Sequence, residues 1–153
     1  MQSNIECKIA TLAEKESVFK MIDANCAHLP AGTCTPENFK QVGEYVLSDI
    51  DWGFFILAED KESKEPLGIM YFTYEWSDWR NGVFFWLQTA YAKDDSEDVH
   101  KAMLAFLDDY QKSRGCCGFR LCSEKVNKAY WEPIVKRMEL SSSHYFIYEV
   151  QTQ

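Results

Sequence analysis

The sequence predicts a single α+β domain in which helices pack on both faces of one mixed sheet, and three observations carry that expectation. Two helical periodicities follow one short β segment near the start. Three aromatic and β-branched runs then stand in succession between 53 and 91 with only polar turns between them. A third helix, a strand, a helix and a strand close the chain, so the order reads β-α-α-β-β-β-α-β-α-β. At 153 residues and 46% hydrophobic composition the chain has the size of one domain, 1–153, with no repeat, low-complexity segment or linker to divide it.

Residues 5–10, IECKIA, form the first strand. Thr11 opens T-L-A-E, a capping box in which Thr11 and Glu14 satisfy each other's backbone donors, and a helix runs from there to about Cys26 with Val18, Met21 and Ile22 on one face. HLPAGT breaks that helix. Thr35-Pro36 sets an N-cap followed by proline at the first helical position, and Phe39, Val42 and Val46 form the stripe of the second helix. GFFILAED, PLGIMYFTYEW and GVFFWLQTAY read as three antiparallel strands separated by KESKE and SDWRNG. Val99, Ala102, Met103, Phe106, Leu107 and Tyr110 then trace the buried stripe of a helix that starts near Ser96 and is capped by Gly115. Residues 117–123 read as a buried strand, 126–138 as a helix broken in its rhythm by Pro133, and HYFIYEV as the last strand.

Charge and composition exclude several classes of function. Lys and Arg number 16 against 24 Asp and Glu, a net charge of −8, which disfavours a nucleic-acid surface and suits a cationic or neutral partner. No apolar run reaches the roughly 20 residues that cross a bilayer, and MQSNIECKIA lacks the basic end and apolar core of a secretory signal, so the expectation is a soluble cytoplasmic protein. Cys7, Cys26, Cys34, Cys116, Cys117 and Cys122 are read as reduced thiols, the last three as small buried residues without an activating histidine. Cys26, His28 and Cys34 lie close enough to raise zinc, but without paired C-x₂-C or H-x₃₋₅-H spacing no metal site is expected.

The element order and the stretch YEWSDWRNGVFFWLQTAYA, 74–92, resemble the GNAT superfamily of acetyl-CoA-dependent N-acetyltransferases, over about residues 5–150. VNKAYWEPIVKRMEL, 126–140, is loosely similar to that family's N-x-x-A-x-x-F-Y-x-x-x-G-F segment. The resemblance implies a GNAT-like, mostly antiparallel sheet. It also implies that the fourth strand splays from the fifth, with backbone groups of Leu87, Gln88, Thr89, Ala90 and Tyr91 holding the pantetheine arm of acetyl-CoA. It further implies a pyrophosphate seat at the start of the following helix, here Ser96, Glu97, Asp98, Val99 and His100.

At that helix start the sequence departs from the family, whose R/Q-x-x-G-x-G/A loop brings bare amides close to phosphate. No glycine remains, and Asp94, Asp95, Glu97 and Asp98 crowd the junction. Read without the family, such acids are helix-capping groups that occupy the first-turn donors. The resemblance implies Glu75, or a water oriented by Gln88, as general base, with Asp78 a second acid nearby, and Tyr130 as the acid that protonates the departing thiolate. Tyr130 and Trp131 serve equally well as packing groups, and the role of His100 is open. Trp76, Trp79, Phe84, Phe85 and Trp86 suggest a wall for a small-molecule or peptide amine acceptor, or sheet core, or the interface of a homodimer. The resulting expectation is an N-acetyltransferase acting by direct attack of a primary amine on acetyl-CoA in a ternary complex. The alternative is a GNAT-fold binding or interaction domain that no longer takes acetyl-CoA.

Overall fold

In the computed structural model the described residues are 4–122 together with 132, 133, 135, 136, 139 and 140. Strand β1 (Ile5–Ile9) is followed by a single 3₁₀ turn (Leu12–Glu14) and helix α1 (Lys15–His28). The Thr11 capping box forms as expected: the Thr11 amide donates to Glu14 Oε2 at 2.8 Å, and the Thr11 hydroxyl accepts from the Ala13 amide at 3.2 Å. Helix α2 (Pro36–Ser48) begins with proline at its first turn, although the Thr35 side chain makes no capping bond. Strands β2 (Phe54–Asp60), β3 (Pro66–Ser77) and β4 (Gly82–Ala92) lead through a 3₁₀ turn (Lys93–Asp95) to helix α3 (Glu97–Arg114) and strand β5 (Gly118–Leu121). Of the helix expected over 126–138, the described residues 132, 133, 135 and 136 are helical, while the last expected strand lies outside the described residues.

Among the described residues, five strands stand in the order β1-β2-β3-β4-β5, antiparallel except for the parallel pair β4–β5. Helices cover both faces. On one, Val18, Met21 and Ile22 of α1 and Val46 and Leu47 of α2 bury Phe55, Leu57, Ile69 and Tyr71. On the other, Val99, Met103 and Leu107 of α3 bury Phe54, Ile56, Met70, Phe72, Phe85 and Leu87. Strand β2 is therefore apolar at every position from Phe54 to Ala58, because neither of its faces meets water.

Three local expectations are corrected. Val42 is exposed rather than buried, because the stripe of α2 runs through Gly43, Val46 and Leu47, where the helix lies on α1 and β2. β5 is half-buried, with only four residues in the sheet. Cys117 and Cys122, which flank it, are exposed, and Cys116 is only partly covered.

Candidate active site

β4 carries the irregularity on which the site depends. Tyr71 of β3 stands opposite Thr89, and Phe72 stands opposite Leu87, so Gln88 is an extra residue without a partner on β3, a β-bulge. On the other edge, β4 pairs with β5 at Phe84, Phe85, Trp86 and Leu87. Among the described residues that pairing ends at Leu87. Beyond the bulge, residues 89–92 keep their pairing with β3.

A groove of about 300 Å³ lies beside the bulge, lined by Thr73, Tyr74, Glu75, Trp86 and Gln88. Gln88 Nε2 donates to Thr73 Oγ1 at 2.9 Å, which fixes the amide and leaves its oxygen as an acceptor. Glu75 Oε1 accepts from Arg120 Nη1 at 2.9 Å, while its Oε2 is buried without a hydrogen-bond partner among the described residues. The Arg120 guanidinium also lies 3.9 Å from the centre of the Phe84 ring. Glu75 and Gln88 thus line one groove. Tyr130 lies outside the described residues. Burial, aided by neighbouring Tyr110, pushes the Tyr74 hydroxyl up to about 12, so this groove-lining tyrosine stays a neutral phenol near neutral pH.

The aromatic wall divides. Trp86 lines the groove, Phe84 and Phe85 are core, and Trp76 and Trp79 stand exposed at the β3–β4 turn. Asp78 serves that turn: its Oδ1 accepts from the Trp79 amide at 2.8 Å and its carbonyl from the Asn81 amide at 3.2 Å.

At the start of α3 the cap is Ser96, whose hydroxyl accepts from the Val99 amide at 3.4 Å. The acids do not fill that role as the sequence suggested. Asp95 Oδ1 lies 3.7 Å from His28 Nε2, and Glu97 pairs with Lys101 at 2.7 Å, one turn along the helix. Both carboxylates are more than half exposed, and Asp94 and Asp98 are also exposed. Asp94 and Asp95 occupy left-handed backbone, φ 55° and 53°, the conformation a glycine would take without cost. The amides of Ser96, Val99 and His100 are engaged by the Lys93 carbonyl, the Ser96 hydroxyl and the Ser96 carbonyl. The imidazole of His100 is buried, and its Nδ1 donates to the Ser96 carbonyl at 3.0 Å, so it stabilises the turn.

Three site residues escaped the sequence reading. Asn25 lies on the buried stripe of α1, 0% exposed, and its Nδ2 donates to Thr89 Oγ1 at 2.9 Å. Its signal was a polar residue at an apolar helical position, three after Ile22. Arg120, the one cation in CGFRLCS, carried a similar signal. Thr73 had none, since threonine is ordinary in a strand.

No family model matches the sequence, and no curated protein does. Solved structures match it over its whole length. A possible acetyltransferase from Clostridium difficile 630 is 23% identical with a TM-score of 0.74, covering 99% of each chain. Ribosomal-protein-alanine N-acetyltransferase from Brucella melitensis biovar Abortus 2308 is 12% identical with a TM-score of 0.74, covering 97% of this chain and 99% of its own. AAC(6')-Iy, in complex with the bisubstrate analogue CoA-S-monomethyl-acetylneamine, is 13% identical with a TM-score of 0.73, covering 99% of this chain and 100% of its own. What this chain shares with them is the mixed, mostly antiparallel fold of the GNAT acetyltransferases.

Proposed function

We propose that this protein is an acetyl-CoA-dependent N-acetyltransferase acting on a primary amine. The observation that carries the reading is the Gln88 bulge of β4, set beside the groove that contains Glu75, in a fold that matches solved acetyltransferases over the whole chain. Backbone groups of residues 87–91 are the proposed contacts of the pantetheine arm. The outward-turned carboxylates of Asp95 and Glu97 leave the mouth of α3 compatible with a diphosphate despite its local charge. Acetyl-CoA, when bound, supplies an activated acetyl thioester.

The chain's own groups account for the rest. Glu75 is the proposed group that takes a proton from an acceptor ammonium directly, and the Gln88 amide oxygen the proposed holder of a water that relays it; both residues line the groove. The net charge of −8 favours an acceptor of positive charge. Tyr130 remains the proposed donor of a proton to the leaving thiolate. No zinc, nucleic acid or membrane is required by this reading.

Titration calorimetry with acetyl-CoA tests it. Saturable binding is expected between about 1 μM and 1 mM, the ordinary range for enzyme substrates. No heat up to millimolar cofactor rejects the enzyme and favours the non-catalytic binding domain, for which the glycine-free junction speaks. A glycine-rich replacement of residues 95–100 would then create an affinity that the native chain lacks. Where binding is found, release of free thiol in the presence of candidate amines identifies the acceptor class.

A further inference from the structure

Thr73 and Glu75 follow Tyr71 along β3 at intervals of two and so share its face of the sheet. Helices α1 and α2 bury that face at Tyr71, whereas Thr73 and Glu75 are half-buried and line the groove of about 300 Å³. Cross-strand partners share a face as well. Thr73 stands opposite Trp86 of β4, and Trp86 opposite Arg120 of β5, so these three form one row, and Glu75 with Phe84 forms the next. Gln88, the bulge residue, is exposed, and its amide turns back to the first row, where Nε2 donates to Thr73 Oγ1 at 2.9 Å.

That bond gives the groove a polarity. A glutamine amide has a donating end and an accepting end. With the nitrogen engaged by Thr73, the oxygen is the end that remains for a ligand. Beside it stand the Trp86 ring and the Glu75 carboxylate, an acceptor held at Oε1 by Arg120 at 2.9 Å. A carboxylate, an amide oxygen and an indole ring together suit a group that carries positive charge and donates hydrogen bonds, which an ammonium does. The volume lies at the lower end of ordinary ligand sites, which suits the ammonium end of a slender alkyl chain.

We propose that Thr73 is a specificity-determining residue for the acceptor. By accepting the Gln88 amide N–H it commits the Gln88 oxygen to the groove, and the groove therefore selects a protonated primary alkylamine, which donates one N–H to that oxygen with its charge beside Glu75 and Trp86. The inference rests on the preceding reading that this groove is the acceptor site of an acetyltransferase. In this arrangement the ammonium proton passes directly to the Glu75 carboxylate, so Gln88 serves binding. Thr73 acts through Gln88, and its effect is on acceptor binding rather than on proton transfer or on acetyl-CoA.

The probe is n-butylamine, with turnover followed as free thiol released from acetyl-CoA. Thr73→Val keeps the shape and removes the hydroxyl, which frees the Gln88 amide to turn its nitrogen toward the groove. KM for butylamine is expected to rise about tenfold, with kcat and acetyl-CoA affinity unchanged. Thr73→Ser keeps the hydroxyl and restores the native KM. Gln88→Ala raises KM at least as much, and adding Thr73→Val to it changes nothing further, the mark of a residue that acts only through another. A native KM in Thr73→Val, or a rise that persists in full in the Gln88→Ala background, overturns the inference and leaves the acetyltransferase reading standing. Native protein that binds acetyl-CoA but does not acetylate butylamine overturns it in the same way. Absence of acetyl-CoA binding by the native protein overturns that reading and this inference with it. If Thr73→Val does not fold, Gln88→Glu decides: an added anionic oxygen beside the ammonium lowers KM, and an unchanged or higher KM overturns the proposal.

Discussion

Arg120 on β5 donates to Glu75 on β3 at 2.9 Å, reaching across the strand between them. The pair fixes one oxygen of the carboxylate and leaves the other buried without a hydrogen-bond partner among the described residues. Glu75→Gln keeps the shape and the bond to Arg120 but cannot accept the acceptor's proton, so kcat is expected to fall about 10²–10⁴-fold with acetyl-CoA affinity unchanged. Arg120→Leu removes an ion pair about one-third exposed on both sides and a guanidinium–ring contact. Together these amount to about 1 kcal/mol, or about 2–4 °C in Tm. Steady-state kinetics and a melting curve for both variants check the pair, and unchanged turnover in Glu75→Gln would move the base to another group.

Asp94 and Asp95 hold left-handed backbone next to the proposed diphosphate seat. Glycine adopts that conformation without the side-chain penalty, and each substitution also removes a negative charge that would stand near phosphate. A like charge at 5–6 Å costs on the order of 0.5–1 kcal/mol even in water, so two sum to about 1–2 kcal/mol. The Asp94→Gly/Asp95→Gly variant is expected to bind acetyl-CoA about 5–30-fold more tightly in low salt, with the gain shrinking as salt screens the charges. Calorimetry at two ionic strengths measures both effects.

The contrast between the two halves of this site explains what the sequence could reveal. Helices α1 and α3 and strands β2 to β4 were legible because burial imposes a period, seen in Val99, Met103 and Leu107 and in the unbroken apolar run of β2. The fate of the carboxylates at 94–98 was not legible, because a helix start attracts acids for capping and for charge alike. Only their partners, His28 and Lys101, tell which way Asp95 and Glu97 turn. The Gln88 bulge was equally hidden, since strand registers are set by residues on different strands and no local pattern in LQTAY announces one extra residue. Position 88 was marked only by family likeness, and its geometry came from Thr73.

An ion triad at β1 contributes to stability at both ends of the pH range. Lys8 Nζ lies 2.8 Å from Glu59 Oε2 and 3.4 Å from Glu14 Oε1. The bond to Glu59 raises the Lys8 ammonium above its ordinary range, against burial. Burial opposes ionisation of Glu14, but the Thr11 amide and hydroxyl, with Lys8, outweigh it and hold the carboxyl below its ordinary value. The raised lysine contributes stability that is complete below about pH 10.4 and is lost as pH rises beyond it. The lowered glutamate contributes stability that is present above about pH 4.3 and is lost as pH falls below it. Lys8 is more than one-third exposed, so screening limits its share to about 0.2–1 kcal/mol. Urea unfolding from pH 3 to 11 is expected to give a plateau that falls at both ends, and Lys8→Met should lower the plateau, because Glu59 is then buried without its cation, while the alkaline fall persists through the buried tyrosines and cysteines whose ionisation burial opposes.

Gly68 seats α3 on the sheet. A Cβ there would lie 2.7 Å from the Tyr91 carbonyl oxygen and 2.8 Å from Val99 Cγ1, both closer than such atoms approach. Gly68 stands opposite Ala92 at the end of β4, so the clash falls where strand, junction and first helical turn meet. Gly68→Ala is expected to cost about 1–3 kcal/mol through overpacking, about 2–10 °C in Tm. By pushing on Val99, which Ser96 caps, it also disturbs the amides proposed to receive the diphosphate. Acetyl-CoA affinity should therefore fall together with stability. Gly115→Ala is the control at the far end of the same helix: it has open space but φ 63°, so it is expected to cost about 1 kcal/mol in backbone strain and leave affinity untouched. Equal losses of affinity in the two variants would show that the effect of Gly68→Ala is global destabilisation and not a displaced helix start.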